Sequence, residues 1–240
     1  MREQAAAKGR KILASLDYPL RPVEKGYANR SLYVNLTDRA ILSKPVTDEM
    51  KEIFIGGRGF GLWYLWNAVT EKTKWDDPEN EIVISAGPIG GITQYPGAGK
   101  SIVVTLSPTT GTVIDSNVGG HFGPLLKFSG WDALEIQGQA EKDVIIFIDG
   151  NAGRVTIEEA GPGPGDSHLI IEQLMDIYAP TEEDKRHVSV VTTGTGAEHS
   201  LIGMLNFSFY DPHRKIVRVK QAGRGGTGTV FRAKKIRALV

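Results

Sequence analysis

The fold is decided by a glycine-rich segment at residues 87–138, which reads GPIGGITQYPGAGKSIVVTLSPTTGTVIDSNVGGHFGPLLKFSGWDALEIQG. Two β-rich runs within it, at 101–106 and 132–137, predict short strands. Clusters of proline and glycine between them bend the backbone into tight turns. Because glycine lacks a Cβ, such backbone approaches an anion closely, and successive amides form a concave nest around it. The local pattern allows two interpretations, a set of ligand-binding loops or a meander of β-turns.

Short strands and a few helices are predicted outside this segment. A hairpin is predicted at 30–36 with a partner strand near Ile41, and Thr47 or Asp48 is expected to cap a helix that runs to residue 54. Further predicted elements are an apolar helix at 62–69, strands at 81–86, 144–149, 154–157, 188–193, 202–209 and 215–219, and a helix capped by Asp166 or Ser167. Without regular βαβ alternation, this order indicates an α+β fold with a β-rich base of mixed or antiparallel sheets and a few flanking helices.

Glycines also precede the apolar helix, in the run GGRGFG at 56–61. We interpret them as positions where the helix packs closely against a sheet. Whether Arg58 binds a phosphate at the start of that helix is left open at this point.

Two motifs resemble nucleotide sites without meeting their requirements. The triplet at 99–101, GKS, resembles the end of a P-loop, but Gln94 stands where the first glycine belongs, and a strand is expected to follow instead of a helix. The run at 223–228 satisfies GxGxxG, but no βαβ unit with a ribose-binding acid follows in this sequence. An NTPase or dinucleotide site is therefore not expected. The second loop, beside Lys220 and Arg224, remains a candidate site for another phosphate.

Composition narrows the classes of function. The chain has 240 residues, with 28 basic and 28 acidic side chains, so net charge gives no reason to expect nucleic acid or an anionic membrane as a partner. It has no cysteine, so it supplies no thiolate to zinc or to an iron–sulfur cluster, and its five histidines lack a metal-ligand spacing. No apolar run suits a transmembrane segment and no secretory signal is visible, so a cytoplasmic location is expected.

Several motifs occur in an order that resembles the N-terminal domain of the tungsten-dependent aldehyde:ferredoxin oxidoreductase family. They are GPxxG, PGxGK, SPxTG, DSNxGG and FGPxLKFxGWD within 87–132, followed by AGRGG at 222–226. The resemblance covers about residues 27–240, which suggests a division into an N-terminal extension at 1–25 and a cofactor-binding domain at 26–240. We expect the extension either to be flexible or to dock on a partner through a short basic helix that includes Ile12, Leu13 and Leu16.

The resemblance implies a ligand and the residues that bind it. In the family, this domain is a base of β-sheets under a tungsten (or molybdenum) bis-pyranopterin, whose phosphates are linked by magnesium. Lys100 stands where the family commonly has an arginine that contacts the pterin, and Lys220 matches a basic residue near the phosphates. Asn117 and Gln221 match the positions whose backbone carbonyls help to hold the magnesium. The remaining implied cofactor-binding residues are Gly119, Gly120, Gly223, Arg224 and Gly225.

The resemblance also implies partners. Family enzymes are much longer, and the cysteines of their [4Fe–4S] cluster and the residues near the substrate have no counterpart in this sequence. Two alternatives follow: the chain is a separate subunit, with a cysteine-containing chain that supplies the cluster and the substrate pocket, or it is a fragment of a longer protein. In either case we expect ferredoxin or a similar carrier to accept the electrons. The predicted function is a cofactor-cradling subunit or domain of an oxidoreductase acting on aldehydes or related low-potential substrates. The alternatives are a non-catalytic scaffold derived from the family and a free-standing binder of a phosphate ligand.

Overall fold

The computed structural model describes residues 9–240, which contain two β-sheets and the helices that flank them. In chain order the strands are β1 (Ile12–Asp17), β2 (Arg30–Asn35), β3 (Ala40–Pro45), β4 (Ile82–Ser85), β5 (Ser101–Leu106), β6 (Val113–Val118), β7 (Ala133–Gln137), β8 (Val144–Asp149), β9 (Arg154–Glu159), β10 (Val191–Thr192), β11 (Leu205–Asp211), β12 (Ile216–Ala222) and β13 (Ile236–Leu239). One sheet has seven strands in the order β1-β9-β8-β13-β10-β11-β12, and the other has six in the order β3-β2-β7-β4-β5-β6. Both are mixed, because β13 runs parallel to β8 and β2 runs parallel to β7.

The α-helices are short. They are α1 (Asp48–Phe54), α2 (Arg58–Ala68), α3 (Phe122–Phe128), α4 (Ser167–Tyr178), α5 (Glu182–Arg186) and α6 (Thr227–Ala233), with a 3₁₀ helix at Thr195–His199. The longest in residues 9–240 is α4 with 12 residues, and no helix in this range has the length and apolar character to cross a bilayer. The predicted α+β class, with mixed sheets and a few flanking helices, is confirmed.

The two sheets pack face to face around a shared core. Leu32 and Val103 contribute to it from the six-stranded sheet, and Ile146 and Phe207 from the seven-stranded sheet. Because successive side chains of a strand point to opposite faces, Ile145 packs on the other side of its sheet, in a separate apolar cluster with α4. The core therefore lies between the sheets, and each sheet buries its second face under helices.

The helices on the outer faces complete a four-layer arrangement. Phe60 and Tyr64 of α2 pack in one cluster with Val83 of β4, on the outer face of the six-stranded sheet. Ile170 and Leu174 of α4 pack on the outer face of the seven-stranded sheet. The order of layers is helix, sheet, sheet, helix, so the rims where the sheets meet are the places left for loops.

Local signals confirm several predicted elements. The hairpin of β2 and β3 has the expected antiparallel register, with Val34 opposite Ile41. Thr47 caps α1 by accepting a hydrogen bond from the Met50 amide at 3.2 Å. Asp166 caps α4 by accepting from the His168 amide at 2.7 Å.

The predicted N-terminal helix is wrong where the structure describes it. Residues 12–17 form β1, which pairs antiparallel with β9, with Leu16 opposite Val155. The half-buried side chains of Leu13 and Leu16 pack against the main core, and that burial favours a strand over an isolated short helix. The predicted helical residues 5–7 lie outside the described residues, and the division at residue 25 stays a prediction.

Other boundaries differ from the predicted ones. The strand expected at 188–193 is reduced to Val191–Thr192, and the strand expected at 202–209 begins only at Leu205. Ile202 is 72% exposed, so its apolar character does not mark a sheet residue. Strands β6 and β13 and helices α3, α5 and α6 were not predicted. Their 4 to 7 residues are too few for a clear periodicity, and the two helices α3 and α6 lie in glycine-rich sequence.

Candidate functional site

The candidate site lies at one rim of the two stacked sheets, where an edge strand of one sheet lies beside an edge strand of the other. Strand β6 is an edge of the six-stranded sheet, β12 is an edge of the seven-stranded sheet, and the two lie side by side. The loop after β12 is tied to β6, because the Arg224 amide donates to Ser116 Oγ at 3.2 Å. Strand β12 and the loop that follows it thus run along β6, with Lys220 beside Gly119 and Arg224 beside Ser116, three residues earlier in β6.

Glycine is required at two positions of these loops. Gly120 has φ +107° and Gly225 has φ +67°, which are left-handed conformations that strain other residues. A Cβ on Gly225 would also collide with the side chain of Ile114 in β6, and a Cβ on Gly99 would lie 2.8 Å from the carbonyl oxygen of Gly120. The glycines therefore allow three backbone segments to approach one another at this junction.

Two lysines that are far apart in the chain converge on the first of these loops. A Cβ built on Gly119 would lie 3.6 Å from Cγ of Lys220 and 3.9 Å from Nζ of Lys100. Both lysines and Arg224 are exposed, and within residues 9–240 none of the three forms an ion pair. Arg58 differs from them, because it binds Asp115 at 2.8 Å on the outer side of β6. The loops therefore carry three positive charges with no acidic partner in the described part of the chain.

The backbone adds donors to these charges. Among residues 9–240, no hydrogen-bond acceptor is found for the amides of Gly119, Gly120, Gly223 and Gly225. Because these glycines are exposed or half-buried, their amides are free to donate to water or to a ligand. Amides together with lysine and arginine cations are the groups that bind phosphate and the polar edges of a heterocycle.

The two predicted magnesium ligands lie on the facing edge strands. Asn117 is on β6 and Gln221 is on β12, and both side chains are exposed. Gln221 Nε2 donates to Asn206 Oδ1 at 3.4 Å, so its side chain is engaged with a neighbouring strand. Residues 9–240 contain no group of three acidic or histidine side chains placed to hold a metal ion. The ligation of magnesium through the two backbone carbonyls stays a prediction, and it requires oxygen from phosphates or water to complete the shell.

Sequence analysis missed one residue at this junction. His121 follows Gly120 directly, and its half-buried ring lies 5.6 Å from the ring of Phe209. Burial lowers the pKa of the His121 imidazole, which favours the neutral form. Phe209 also lies 6.0 Å from Lys220 Nζ. His121 was not selected from the sequence, because the histidines lack a metal-ligand spacing. Its position directly after the DSNxGG motif could have indicated it.

The apparent nucleotide motifs are explained by the same geometry. Strand β5 begins at Ser101, so no helix follows the GKS triplet, as expected for a loop that is not a P-loop. The glycines at 56–61 have the packing role expected of them, because a Cβ on Gly61 would collide with Val104 of β5. The role of Arg58 was left open from the sequence, and in the structure its guanidinium forms an ion pair with Asp115.

These features define a class of protein: α+β domains that present glycine loops and exposed cations at the junction of two sheets. A family model described as the aldehyde ferredoxin oxidoreductase N-terminal domain matches residues 31–240. The chain belongs to this family, and the resemblance noted in its sequence is confirmed.

Individual relatives agree with that assignment. The chain is 33% identical over 217 residues to a tungsten-containing aldehyde ferredoxin oxidoreductase of Pyrococcus horikoshii, with 90% of this chain and 33% of the relative covered. It is 27% identical over 223 residues to an aliphatic sulfonate oxidoreductase, WOR-like subunit, of Pyrococcus furiosus, with 89% and 34% covered. The chain thus spans about a third of the length of these curated relatives.

A solved structure shares the fold. The active-site complex BamBC of benzoyl coenzyme A reductase, in complex with 1,5-dienoyl-CoA, superposes with a TM-score of 0.74 at 25% identity. The match covers 89% of this chain and 30% of that one. The chain is therefore similar to one domain of larger oxidoreductases.

Proposed function

We propose that this chain is the cofactor-cradling part of a tungsten or molybdenum bis-pyranopterin oxidoreductase, which oxidises aldehydes or a related low-potential substrate. The observation that carries the proposal is the convergence of Lys100 and Lys220 on Gly119, with Arg224 further along the same edge strand next to Ser116, at a junction with several amides that have no acceptor among residues 9–240. Membership of the family supports the choice of cofactor. A scaffold without cofactor would have no need for several uncompensated charges along one edge of the two sheets.

The residues present fit such a cofactor. Its phosphates need cations and amide donors, and the pterin needs donors along its polar edges. Lys100 is proposed to contact the pterin as a single charge, without the two-pronged geometry of an arginine. Lys220 and Arg224 are proposed to neutralise phosphate, and the carbonyls of Asn117 and Gln221 to face a magnesium ion. The close approach that this requires depends on the absence of side chains at the glycines of the two loops.

The division of labour follows from what the chain contains. When bound, the metal–pterin group supplies two-electron redox chemistry at low potential. This chain orients the group and sets the charge around it. Because it has no cysteine, it does not ligate an iron–sulfur cluster, and a [4Fe–4S] cluster and the substrate pocket are assigned to a cysteine-containing partner. Ferredoxin or a similar carrier in the cytoplasm is the proposed acceptor of the electrons.

The test is to co-express the chain with the products of neighbouring genes, purify the complex without oxygen, and measure tungsten, molybdenum, magnesium, iron and pterin. We expect tungsten or molybdenum with about two pterins per metal, magnesium, and iron that follows a co-purifying cysteine-containing chain. A folded complex without metal or pterin would favour the scaffold alternative. Pterin-free phosphate binding by the chain alone would favour the phosphate binder.

One variant tests the site itself. Arg224→Ala is expected to lower the pterin and metal content of the assembled complex, because it removes one of the unpaired charges. Arg58→Ala is the matched control, since this exposed arginine already binds Asp115 and is expected to leave the cofactor content unchanged. Equal cofactor content in wild type and Arg224→Ala would remove Arg224 from the proposed site.

A further inference from the structure

A second cleft lies on the outer face of the six-stranded sheet, away from the glycine loops. It has a volume of about 720 Å³, within the range of small-molecule sites. Tyr33 of β2, Lys44 of β3 and Trp63 of α2 line its sides, and the carboxylates of Glu81 and Glu135 line its base. Both carboxylates belong to side chains that are 1% exposed.

One of the two carboxylates has its hydrogen bonds satisfied. Glu135 Oε1 accepts from Ser31 Oγ at 2.6 Å, and Glu135 Oε2 accepts from Lys44 Nζ at 2.6 Å. Lys44 thereby neutralises the charge of Glu135. Glu135 and Lys44 thus satisfy each other within the cleft.

The other carboxylate is unpartnered. Glu81 Oε2 is fully buried and accepts no hydrogen bond from any residue between 9 and 240. Lys234 is a nearby cation, but its ammonium donates to the carbonyls of Pro78 and Gly138 instead. Burial, and then repulsion by Glu135, raises the pKa of Glu81 to about 8. The charges of Lys44 and Lys234 act in the opposite direction and lower this pKa, but neither lysine donates to the Glu81 carboxylate. Burying a carboxylate without a donor is unfavourable, so Glu81 has an open acceptor for a cation with N–H groups.

The cleft itself contains an example of how such a cation binds. The Lys44 ammonium contacts the Glu135 carboxylate and also lies 3.8 Å from the ring centroid of Tyr33. An alkylammonium is thus held between a carboxylate and an aromatic face. The same cleft contains a second carboxylate, Glu81, and a second aromatic ring, the indole of Trp63, but no ammonium group in residues 9–240 donates to Glu81.

We propose that this cleft binds a small primary alkylammonium ion, with its ammonium group on Glu81 and its alkyl chain against Trp63. A metal ion is a poorer fit, because residues 9–240 hold no group of three metal-ligating acidic or histidine side chains. The cleft is distinct from the glycine loops. Glu81 precedes β4, whereas Ser85 at the far end of β4 pairs with Ile102, next to the Lys100 side of β5.

The direct test is to titrate n-butylammonium chloride into the 240-residue chain, using calorimetry and tryptophan fluorescence at constant ionic strength. We expect saturable binding at pH 8. Tetramethylammonium, which has the charge but no N–H donor, is expected to bind at least about tenfold more weakly, because hydrogen bonds to an ionised group are strong. Glu81→Gln is expected to weaken the binding of n-butylammonium at least tenfold. Glu79→Gln, which removes an exposed carboxylate two residues earlier, is the matched control and is expected to bind like wild type.

The pH dependence provides a second readout. Binding of the cation to ionised Glu81 releases a proton below pH 8, so the affinity of the wild type is expected to rise about tenfold from pH 6 to 7 and about fivefold from pH 7 to 8. The charged and titratable groups around Glu81 are Glu135, Lys44, Lys234 and Tyr64. Lys234 loses its charge near pH 8, and this also raises the affinity for the ligand as pH increases, because it removes repulsion between two cations. Affinity in Glu81→Gln is expected to be flat from pH 6 to 7.

Three results would each overturn the proposal: no saturable binding by the wild type at pH 8, equal binding of n-butylammonium and tetramethylammonium, or equal binding by wild type and Glu81→Gln. If Glu81→Gln does not fold, the comparison of the two cations and the wild-type pH slope still decide. None of these measurements depends on tungsten or pterin, so their outcome is independent of the proposed redox function.

Discussion

The unpartnered Glu81 leads to a quantitative prediction about stability and pH. Its pKa is raised from 4.5 to about 8 in the folded chain, because the carboxyl is buried and faces Glu135. In the unfolded chain the same carboxyl is solvated and has its ordinary pKa. Between the two values the folded state holds one proton more than the unfolded state, so stability falls as pH rises. The stabilisation that Glu81 contributes is complete below pH 4.5 and is lost as pH rises through about 8.

The magnitude follows from the two pKa values. The full loss is about 5 kcal/mol at 1.36 kcal/mol per pKa unit, and the part between pH 5 and pH 7 is roughly half of that. Replacing Glu81 by glutamine keeps the shape of the protonated acid and removes the titration. The free energy of unfolding of Glu81→Gln, relative to wild type, is therefore expected to increase by about 2–3 kcal/mol between pH 5 and 7.

Urea unfolding followed by circular dichroism at pH 5, 6 and 7 measures this difference. With a urea dependence near 2–3 kcal/mol per molar, the gap between the two midpoints is expected to widen by roughly 1 M over this range. The window lies below the titration of Lys234, whose pKa burial lowers to about 8. Glu79→Gln is expected to follow the wild-type profile. If the profiles of Glu81→Gln and wild type are parallel, Glu81 does not titrate as argued and the cleft has no uncompensated acid.

Three further predictions concern the loops and one helix. Gly225→Ala is expected to destabilise the fold by about 2–4 kcal/mol, because it combines a left-handed backbone with a collision against Ile114. Gly97 also has a left-handed backbone, but a Cβ there meets no atom within 4 Å, so Gly97→Ala is expected to cost about 1 kcal/mol. Thermal unfolding of both variants separates the cost of the collision from the cost of the backbone strain. Asp166→Ala is expected to cost about 1 kcal/mol in urea unfolding through loss of the α4 cap, and Asp166→Asn much less. The double variant Lys100→Ala/Lys220→Ala is expected to lower the pterin content of the assembled complex more than either single variant. The thermal stability of the chain is expected not to fall, because neither lysine forms an ion pair within residues 9–240.

The outcomes of these variants separate structure from ligand binding. Lys142→Ala is a suitable control for the lysine variants, since this exposed lysine lies outside the loops. Equal pterin content in the double variant and this control would exclude the two lysines from the cofactor site. Equal stability of Gly225→Ala and Gly97→Ala would contradict the packing of the second glycine loop against β6.

Local chemistry made much of the fold predictable. The hairpin of β2 and β3, the Thr47 and Asp166 caps and the strands β8 and β9 depend on neighbouring residues, and each was predicted from the sequence. Long-range pairing was not predictable in the same way. The segment that became β1 has a pattern compatible with a short helix, and only pairing with β9, far along the chain, determines its conformation.

The candidate site divides in the same manner. The glycine motifs and the nearby cations are properties of the sequence, and by themselves they left two interpretations open, ligand-binding loops and a meander of β-turns. The cofactor and the iron–sulfur partner followed from the family resemblance and stay predictions. The tertiary structure decided that Lys100 and Lys220 converge on Gly119, because that depends on two edge strands from different sheets lying side by side. It also decided that Glu81 is buried without a donor, because burial is a property of the packed sheet and helix and not of any local pattern of residues.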